Sequence, residues 1–122
     1  IWRSATASDS GAFWPMVLFA QEAARTIGQK ASLSLAVALR QMQVGATLSF
    51  DETIRTEFRI VSRICRGTNF YEGVRATIID KDQKPAWKPA RIDDVTVAEV
   101  DAIFAPLGGD ELDLSGVAGT AS

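Results

Sequence analysis

A chain of 122 residues and 13.2 kDa with 47% hydrophobic residues is long enough to bury one hydrophobic core, so we expect a single domain. Its net charge of −2 and pI near 5.1 argue against nucleic acid as a partner, because binding a phosphate backbone requires a dense basic surface. Its apolar stretches are shorter than the ~20 residues that span a bilayer, so no membrane partner is expected. A lone cysteine excludes an internal disulfide.

The two ends of the sequence differ in character from its middle. Residues 1–12 are mostly small and polar and predict an N-terminal loop or linker, whereas residues 13–107 predict a helical domain. Residues 108–122 are acidic, then small and polar, and predict a flexible tail. No basic stretch followed by an apolar run is present, so no secretory signal is predicted. Because the chain begins with Ile1 rather than methionine, we expect it to be a piece of a longer protein.

Two weakly charged helices are predicted first. The first covers residues 13–27 and has a broad apolar face, with Pro15 tolerated only near its first turn. The second covers residues 32–44 and is capped by Ser32 or Ser34. It has two apolar stripes, so it is a core element or docks one face onto protein outside this chain. The stripes are Leu35, Leu39 and Met42 and, separately, Leu33, Val37 and Val44.

The third helix has the clearest start, because Ser49 and Glu52 have the spacing of a capping box. Its apolar residues repeat every three or four positions and predict one buried stripe of Phe50, Ile54, Phe58, Val61 and Cys65. With no histidine in the chain to activate it, Cys65 is expected to be an inert core thiol. A second stripe consists of Arg55, Arg59, Arg63 and Arg66. We expect a solvated face with an Asp51–Arg55 pair, the alternative being contacts to an anion or to acids on another segment.

Residues 69–89 predict a short amphipathic helix that breaks into a loop. Asn69 and Glu72 have the spacing of a helix-start cap. The apolar face is predicted to contain Phe70, Val74 and Ile78. Prolines and charged residues then form an extended loop with Trp87 as its anchor. The loop carries three lysines, Lys81, Lys84 and Lys88. It is either a solvated connection or a loop that presents these cations to a phosphate, and the residues alone favour the solvated connection.

The last predicted helix begins at a capping box formed by Thr96 and Glu99 and ends at Pro106. Its apolar side is predicted to contain Val100, Ile103 and Phe104. No alternation of period two is sustained anywhere in the sequence. We therefore predict a mainly α fold of about five helices with an extended loop that contains prolines and a tryptophan.

The chemistry available to these residues is limited. The chain has no histidine and one cysteine, which removes the commonest general base, histidine-containing triads and the usual metal ligands. No glycine-rich phosphate loop is present. Paired carboxylates remain an option, Asp80 with Asp82 or Asp93 with Asp94, although acids beside lysines in loops are usually solvated. We expect no metal site, no cofactor and no self-sufficient active site.

Four runs of residues carry a resemblance to a known family. They are Leu39–Gln41, Glu57–Arg59, Phe70–Ala76 and Ile79–Ala90. In this order and at this spacing they resemble the C-terminal part of the 3-hydroxyisobutyryl-CoA hydrolases, in the enoyl-CoA hydratase/isomerase (crotonase) superfamily. The family pattern reads LRQ, E-aromatic-R and F-x-EGVRA-x-LIDKD-x-x-P-x-W-x-PA, and the resemblance covers residues 13–107. The predicted helical fold is then the C-terminal helical region of a crotonase-type protein.

The resemblance implies that the parent protein hydrolyses the thioester of 3-hydroxyisobutyryl-CoA in valine breakdown, in a bacterial cytoplasm or a mitochondrial matrix. In that family a preceding core supplies acidic residues and two backbone N–H groups that hold the thioester oxyanion. No catalytic residue is therefore carried over onto this chain, and the chain alone should be inactive. The implied partners are the missing N-terminal crotonase core, the acyl-CoA substrate and further copies in a homo-oligomer.

The resemblance also implies a role for the loop, because the C-terminal helices of the superfamily cover the acyl-CoA site and contribute to subunit contacts. The residues implied to lie near coenzyme A are Lys81, Lys84, Trp87 and Lys88. One alternative is the same region of an enoyl-CoA hydratase or isomerase with another substrate. Another is a non-catalytic helical module that assembles with copies of itself or with a partner. The isolated chain is itself expected to self-associate in sedimentation, because it exposes the apolar surface that would otherwise meet the core.

Overall fold

Five α-helices make up most of the chain that the structure describes. The computed structural model describes residues 10–117, with side chains from residue 13 onward. The helices are α1 (Ser10–Gly28), α2 (Ser32–Gly45), α3 (Phe50–Ile64), α4 (Thr68–Val74) and α5 (Val97–Phe104). A π-helical turn, Arg75–Ile79, continues α4, and short 3-10 turns lie at Ile92–Asp94 and Gly108–Asp110. No strand occurs in this part of the chain, which confirms the predicted mainly α fold.

The chain divides into two compact units after Lys30. The first unit contains α1, which begins at Ser10, so Pro15 lies in the second turn rather than in the first as predicted. Residues 10–12 of the predicted N-terminal loop therefore belong to this helix, and residues 1–9 lie outside the described residues. The large apolar side chains of α1 that are more than half exposed are Phe13, Trp14, Met16, Leu18, Phe19 and Ile27. No helix in the described part combines the length and apolarity needed to cross a membrane.

In the second unit α5 packs against both α2 and α3. The side chains buried there are small or β-branched, at Ala31, Val37, Ile60, Ala76 and Val100. Polar contacts join the helices around this core. Gln41 Nε2 of α2 donates to Glu57 Oε1 of α3 over 2.6 Å. Arg40 pairs with Asp101 over 2.9 Å and lies 5.8 Å from the centre of the Phe104 ring, which fixes α2 against α5.

Both predicted capping boxes are confirmed. The Ser49 hydroxyl accepts from the Glu52 N–H, and the Glu52 carboxylate accepts from the Ser49 N–H in return. Thr96 and Glu99 make the same reciprocal pair at the start of α5. Each box satisfies two N–H groups that a helix start leaves without partners, so the start of the helix follows from local sequence alone.

The other two predicted caps are wrong, because their side chains make tertiary contacts instead. The residue before α2 is Ala31, and no side chain caps that helix. The Ser32 hydroxyl is buried and donates to the Pro89 carbonyl over 2.6 Å. The residue before α4 is Gly67, and Asn69 makes contacts beyond its own helix.

The buried faces of α3 and α4 differ from the predicted stripes. In α3 the buried residue is Ile60, whereas Phe50 and Val61 are 78% and 51% exposed. After α4 the completely buried residue is Ala76, and Ile78 is 64% exposed. A π-helical turn takes one more residue per hydrogen-bonded ring than an α-helix, so the residues after Val74 rotate away from the α-helical face.

One of the two predicted stripes of α2 is buried in the second unit. Val37 is 2% exposed, and Leu33 and Val44 are half-buried beside it. In the other stripe Leu39 and Met42 are 54% and 72% exposed. The helix therefore uses one face as a core element and leaves part of the second face open.

The predicted solvated stripe of arginines on α3 is wrong for two of its members. Arg59 Nε lies 3.0 and 2.8 Å from the two carboxylate oxygens of Glu111. Arg63 donates to backbone carbonyls at the end of α5. None of the ion pairs within residues 13–117 joins Asp51 to Arg55.

Glu111 belongs to the segment predicted to be a flexible tail. Its carboxylate also accepts from the Leu107 N–H over 3.1 Å, and this bond together with Arg59 holds the pKa of Glu111 below its usual value. The first part of the predicted tail is thus attached to α3. The last residues, 118–122, lie outside the described part of the chain.

Candidate functional site

The chain folds back along α4 after the π-helical turn. Lys81 and Gln83 both adopt a left-handed φ of 56°, and the Gln83 N–H donates to the Ala76 carbonyl over 3.0 Å. Residues 84–87 form neither a helix nor a turn, the chain bends at residues 88–90, and exposure alternates from one residue to the next. Exposed positions are 84, 86, 88 and 90, and half-buried positions are 85, 87 and 89. Up to the bend this is the two-residue period of an extended chain, so we call residues 84–88 the extended segment.

Side chains of α4 hold the backbone of the extended segment. The Asn69 amide makes two bonds to Lys88, since Nδ2 donates to the Lys88 carbonyl over 2.7 Å and Oδ1 accepts from the Lys88 N–H over 2.8 Å. One turn later, Glu72 Oε1 accepts from the Ala86 N–H over 2.9 Å. These side chains supply the hydrogen-bond partners that a neighbouring β-strand would supply in a sheet.

Arg75 completes this arrangement at the start of the π-helical turn. Its Nη2 donates to the Lys84 carbonyl over 3.3 Å and to Glu72 Oε1 over 2.7 Å, and its Nε donates to Glu72 Oε2 over 3.0 Å. Its Nη1 lies 2.7 Å from both Asp80 Oδ2 and Asp82 Oδ2. One guanidinium therefore contacts three carboxylates and the extended segment. We call Asn69, Glu72 and Arg75 the ladder.

The positive charge of Arg75 keeps the carboxylates around it ionised. The Arg75 guanidinium, with the Ala86 N–H, lowers the pKa of Glu72 to about 2. Arg75, with the Lys84 N–H, also lowers the pKa of Asp82. A carboxyl with so low a pKa holds no proton to donate near neutral pH. Asp80 and Asp82 both bind the Arg75 guanidinium. This arrangement does not favour their use as a catalytic acid–base pair, which the sequence alone leaves open.

Trp87 anchors the inner face of the extended segment. A Cβ atom placed on Gly73 would lie 3.2 Å from Trp87 Cη2, so the ring approaches α4 at a point where a larger residue would crowd it. The Trp87 side chain is half-buried. The following Lys88–Pro89 peptide bond is cis, and the Pro89 carbonyl accepts from the buried Ser32 hydroxyl.

The sequence-predicted site residues divide between two faces. Lys84 and Lys88 lie on the exposed face of the extended segment, and Lys81 lies exposed in the turn before it. Trp87 lies on the opposite face. None of the three lysines takes part in an ion pair with another residue among 13–117.

Sequence reasoning missed the ladder, although a signal for it was present. Asn69, Glu72 and Arg75 are spaced three residues apart, which puts polar groups on one side of a helix. The spacing of Asn69 and Glu72 also fits a helix cap, and this is the interpretation that the sequence favours.

A small cavity lies beside the start of α4, next to one of the predicted lysines. Its volume is about 120 Å³, below the ~300 Å³ of the smallest usual ligand pockets. It is lined by Leu33, Ser34, Arg63, Ile64, Gly67, Thr68, Asn69, Lys88 and Ile103. The cavity is therefore too small to enclose an acyl-CoA. No group of three or more potential metal-binding side chains occurs within the described residues.

Acid should weaken the ladder in a defined pH range. The pKa of Glu72 is lowered from 4.5 to about 2 in the folded chain, so its ionised form stabilises the fold above pH 4.5. That stabilisation is lost as the pH falls from 4.5 towards 2. Glu72→Gln should therefore lower the urea midpoint at pH 7 and reduce its pH dependence below pH 4.5. Asp110→Asn, an exposed change outside the ladder, is the control, and equal slopes for Glu72→Gln and the parent chain would contradict the assignment.

Comparisons with known proteins agree on one enzyme family. The sequence profile of the enoyl-CoA hydratase/isomerase family matches residues 15–104. The chain is similar to a protein named 3-hydroxyisobutyryl-CoA hydrolase, mitochondrial, from Gallus gallus, with 44% identity over 96 residues, which are 79% of this chain and 25% of that protein. Proteins of the same name from Danio rerio and Homo sapiens are 42% identical over 96 residues (79% of this chain, 25% of that protein) and 39% identical over 94 residues (77% and 24%). The chain spans about a quarter of the length of these curated relatives.

Proposed function

We propose that this chain, which belongs to the enoyl-CoA hydratase/isomerase family, is the C-terminal helical region of an acyl-CoA thioester hydrolase. The observation that carries the proposal is the 44% identity over 96 residues to a 3-hydroxyisobutyryl-CoA hydrolase. The parent protein would release coenzyme A from 3-hydroxyisobutyryl-CoA in valine breakdown, in a mitochondrial matrix or a bacterial cytoplasm. Coenzyme A is then part of the substrate.

The catalytic groups are proposed to lie outside this chain, in the N-terminal crotonase core. Thioester hydrolysis needs donors for the developing oxyanion and a base for the attacking water. Arg75 engages the carboxylates of Glu72, Asp80 and Asp82, and Asp93 pairs with Arg91 over 3.3 Å. These contacts support the proposal that the chain by itself has no hydrolase activity.

The extended segment is proposed to lie near the coenzyme A. Lys84 and Lys88 are exposed on one face, and Lys81 is exposed in the preceding turn. Ammonium groups are good partners for phosphate oxygens, and coenzyme A carries phosphates at the end remote from its thioester. Trp87 would anchor the segment rather than contact coenzyme A itself, because its ring lies against Gly73.

The second unit leaves apolar surface for the proposed core and for further subunits. Leu39 and Met42 are exposed on one face of α2, and Phe50 is exposed at the start of α3. A contiguous exposed apolar patch marks a protein–protein interface, whereas scattered single residues do not. We propose that the crotonase core covers part of this surface and that the protein forms a homo-oligomer.

The experiment that tests the proposal is release of free thiol from 3-hydroxyisobutyryl-CoA. The 122-residue chain and the full-length product of its gene are compared at equal molar concentration. We expect turnover only in the full-length protein. Turnover by the chain alone would contradict the placement of the chemistry in the core, and silence in both would contradict the hydrolase itself.

Two alternatives remain distinguishable. The matching profile describes hydratases and isomerases, so hydration of a short enoyl-CoA by a full-length protein that leaves the hydroxyisobutyryl thioester intact would favour that class. The exposed apolar residues would also suit a non-catalytic module that self-associates. A natural gene product with an intact mass near 13 kDa and no acyl-CoA chemistry would favour that module.

A further inference from the structure

We propose that Asn69, Glu72 and Arg75 are positioning residues that hold Lys84 and Lys88 as a pair facing the phosphate groups of an acyl-CoA. This inference rests on the proposed function and assigns a role to side chains that touch neither the reacting atoms nor the ligand. The ladder binds backbone atoms of the extended segment at residues 84, 86 and 88, and we propose that its effect on a ligand passes through the two lysines.

The first argument is geometric. In an extended chain the backbone polar groups of alternate residues point the same way, and so do their side chains on the perpendicular face. The ladder bonds the backbone at residues 84, 86 and 88, and therefore sets which face the side chains of these residues occupy. A slip by one residue would turn every side chain to the other face. Lys84 and Lys88 would then point inward, and Trp87 would point to solvent.

The second argument concerns the spacing of the lysines. Four residues of extended chain separate the two Cα atoms by roughly 13 Å. Both side chains are exposed and share one face, with only Ala86 between them on that face. Such a pair offers two separate cations along a line, which suits a ligand that carries phosphates at more than one point. The net charge of −2 for the whole chain makes a long polyanion such as nucleic acid a poor alternative.

The third argument is electrostatic. Glu72, Asp80 and Asp82 are the three carboxylates around Arg75, and Asp82 lies within electrostatic reach of Lys84. A free carboxylate beside a lysine would pair with its ammonium group and repel a phosphate. Arg75 engages all three through bonds of 2.7–3.0 Å. The carboxylates are thereby paired with a guanidinium that belongs to the π-helical turn. Replacing Arg75 should both loosen the segment and release acids next to the lysines.

The test is a double-mutant cycle in the full-length protein, with KM and kcat measured for 3-hydroxyisobutyryl-CoA. Lys84→Ala/Lys88→Ala should raise KM by about tenfold with kcat within about twofold, because exposed charge contacts each contribute a few-fold to affinity. Asn69→Ala should raise KM by about threefold when the lysines are present and leave it unchanged when they are absent. Thr77→Ala, an exposed change on the π-helical turn, is the control.

Arg75→Lys provides a second variant that retains the positive charge but not the planar fork. Arg75→Lys should raise KM when both lysines are present and leave KM unchanged when both are replaced. If Asn69→Ala and Arg75→Lys raise KM equally with and without the lysines, the ladder acts only on general stability, and the positioning role is overturned.

Amide hydrogen exchange separates failure of this inference from failure of the proposed contact with coenzyme A. Asn69→Ala should speed exchange of the Lys88 amide at least tenfold, because its acceptor is removed. If the lysine variant leaves KM unchanged while this exchange speeds up, the proposed contact with coenzyme A is wrong although the ladder still holds the segment. If the lysine variant raises KM and the exchange of Lys88 does not change, the contact stands and the ladder proposal is wrong.

Discussion

Replacing Arg63 by methionine should detach the end of α5 and lower the free energy of unfolding by about 2–3 kcal/mol. Arg63 Nη1 lies 2.9 Å from the Ile103 carbonyl and 2.5 Å from the Ala105 carbonyl, and Nη2 lies 3.1 Å from the Pro106 carbonyl. The last carbonyls of a helix have no partners within the helix, and a cation there also suits the helix dipole. Methionine keeps a similar apolar stem but donates no hydrogen bond.

Urea unfolding followed by circular dichroism would measure this loss. Arg66→Met is the matched control, because Arg66 is exposed on the same arginine stripe and takes part in no ion pair within the described residues. The control should change the free energy of unfolding by less than about 0.5 kcal/mol. Equal losses in the two variants would mean that the carbonyl contacts of Arg63 do not hold α5.

Replacing Trp87 by alanine should lower the free energy of unfolding by about 2 kcal/mol. It should also reverse the sign of the change in stability that Gly73→Ala causes. The cost is below the ~3–5 kcal/mol of a fully buried tryptophan, because Trp87 is half-buried. With the ring present, a methyl group on Gly73 would lie 3.2 Å from Trp87 Cη2, so Gly73→Ala should destabilise the fold. Without the ring, alanine is the better helix former by about 1 kcal/mol, so the same change should stabilise it.

This reversal of sign is measured by four urea titrations, one for each corner of the cycle. Trp14→Ala is the control for loss of an indole, because Trp14 in α1 is 63% exposed. It should change stability by much less than Trp87→Ala. If Gly73→Ala destabilises the chain by the same amount with and without Trp87, the ring does not pack on Gly73 as the structure has it.

Local pattern predicted the helices well, because a helix start depends on neighbours in sequence. Ser49 with Glu52 and Thr96 with Glu99 each form the reciprocal bonds that their spacing indicates. Both acids then lie where the helix dipole favours a negative charge. The number of helices and the absence of sustained strand alternation follow from the same local information.

The same reasoning failed where a side chain had two satisfactory partners. Asn69 and Glu72 fit a helix cap, but the returning chain offers the amides of Lys88 and Ala86. Arg63 fits a solvated face, but the end of α5 offers three carbonyls. Spacing in sequence reveals only the local partner, such as a helix cap. The partner that the fold supplies lies 14 to 43 residues away along the chain.

The sequence by itself determined that this chain is helical and belongs to the enoyl-CoA hydratase/isomerase family, because caps, apolar periodicity and the motif of residues 70–90 are all read along the chain. Only the tertiary structure decided how that motif is used. It placed Lys84 and Lys88 outward and Trp87 inward, and it made Asn69, Glu72 and Arg75 hold the backbone between them. The physical reason is that an extended segment gains its hydrogen-bond partners from another element, and the position of that element is not encoded in local spacing.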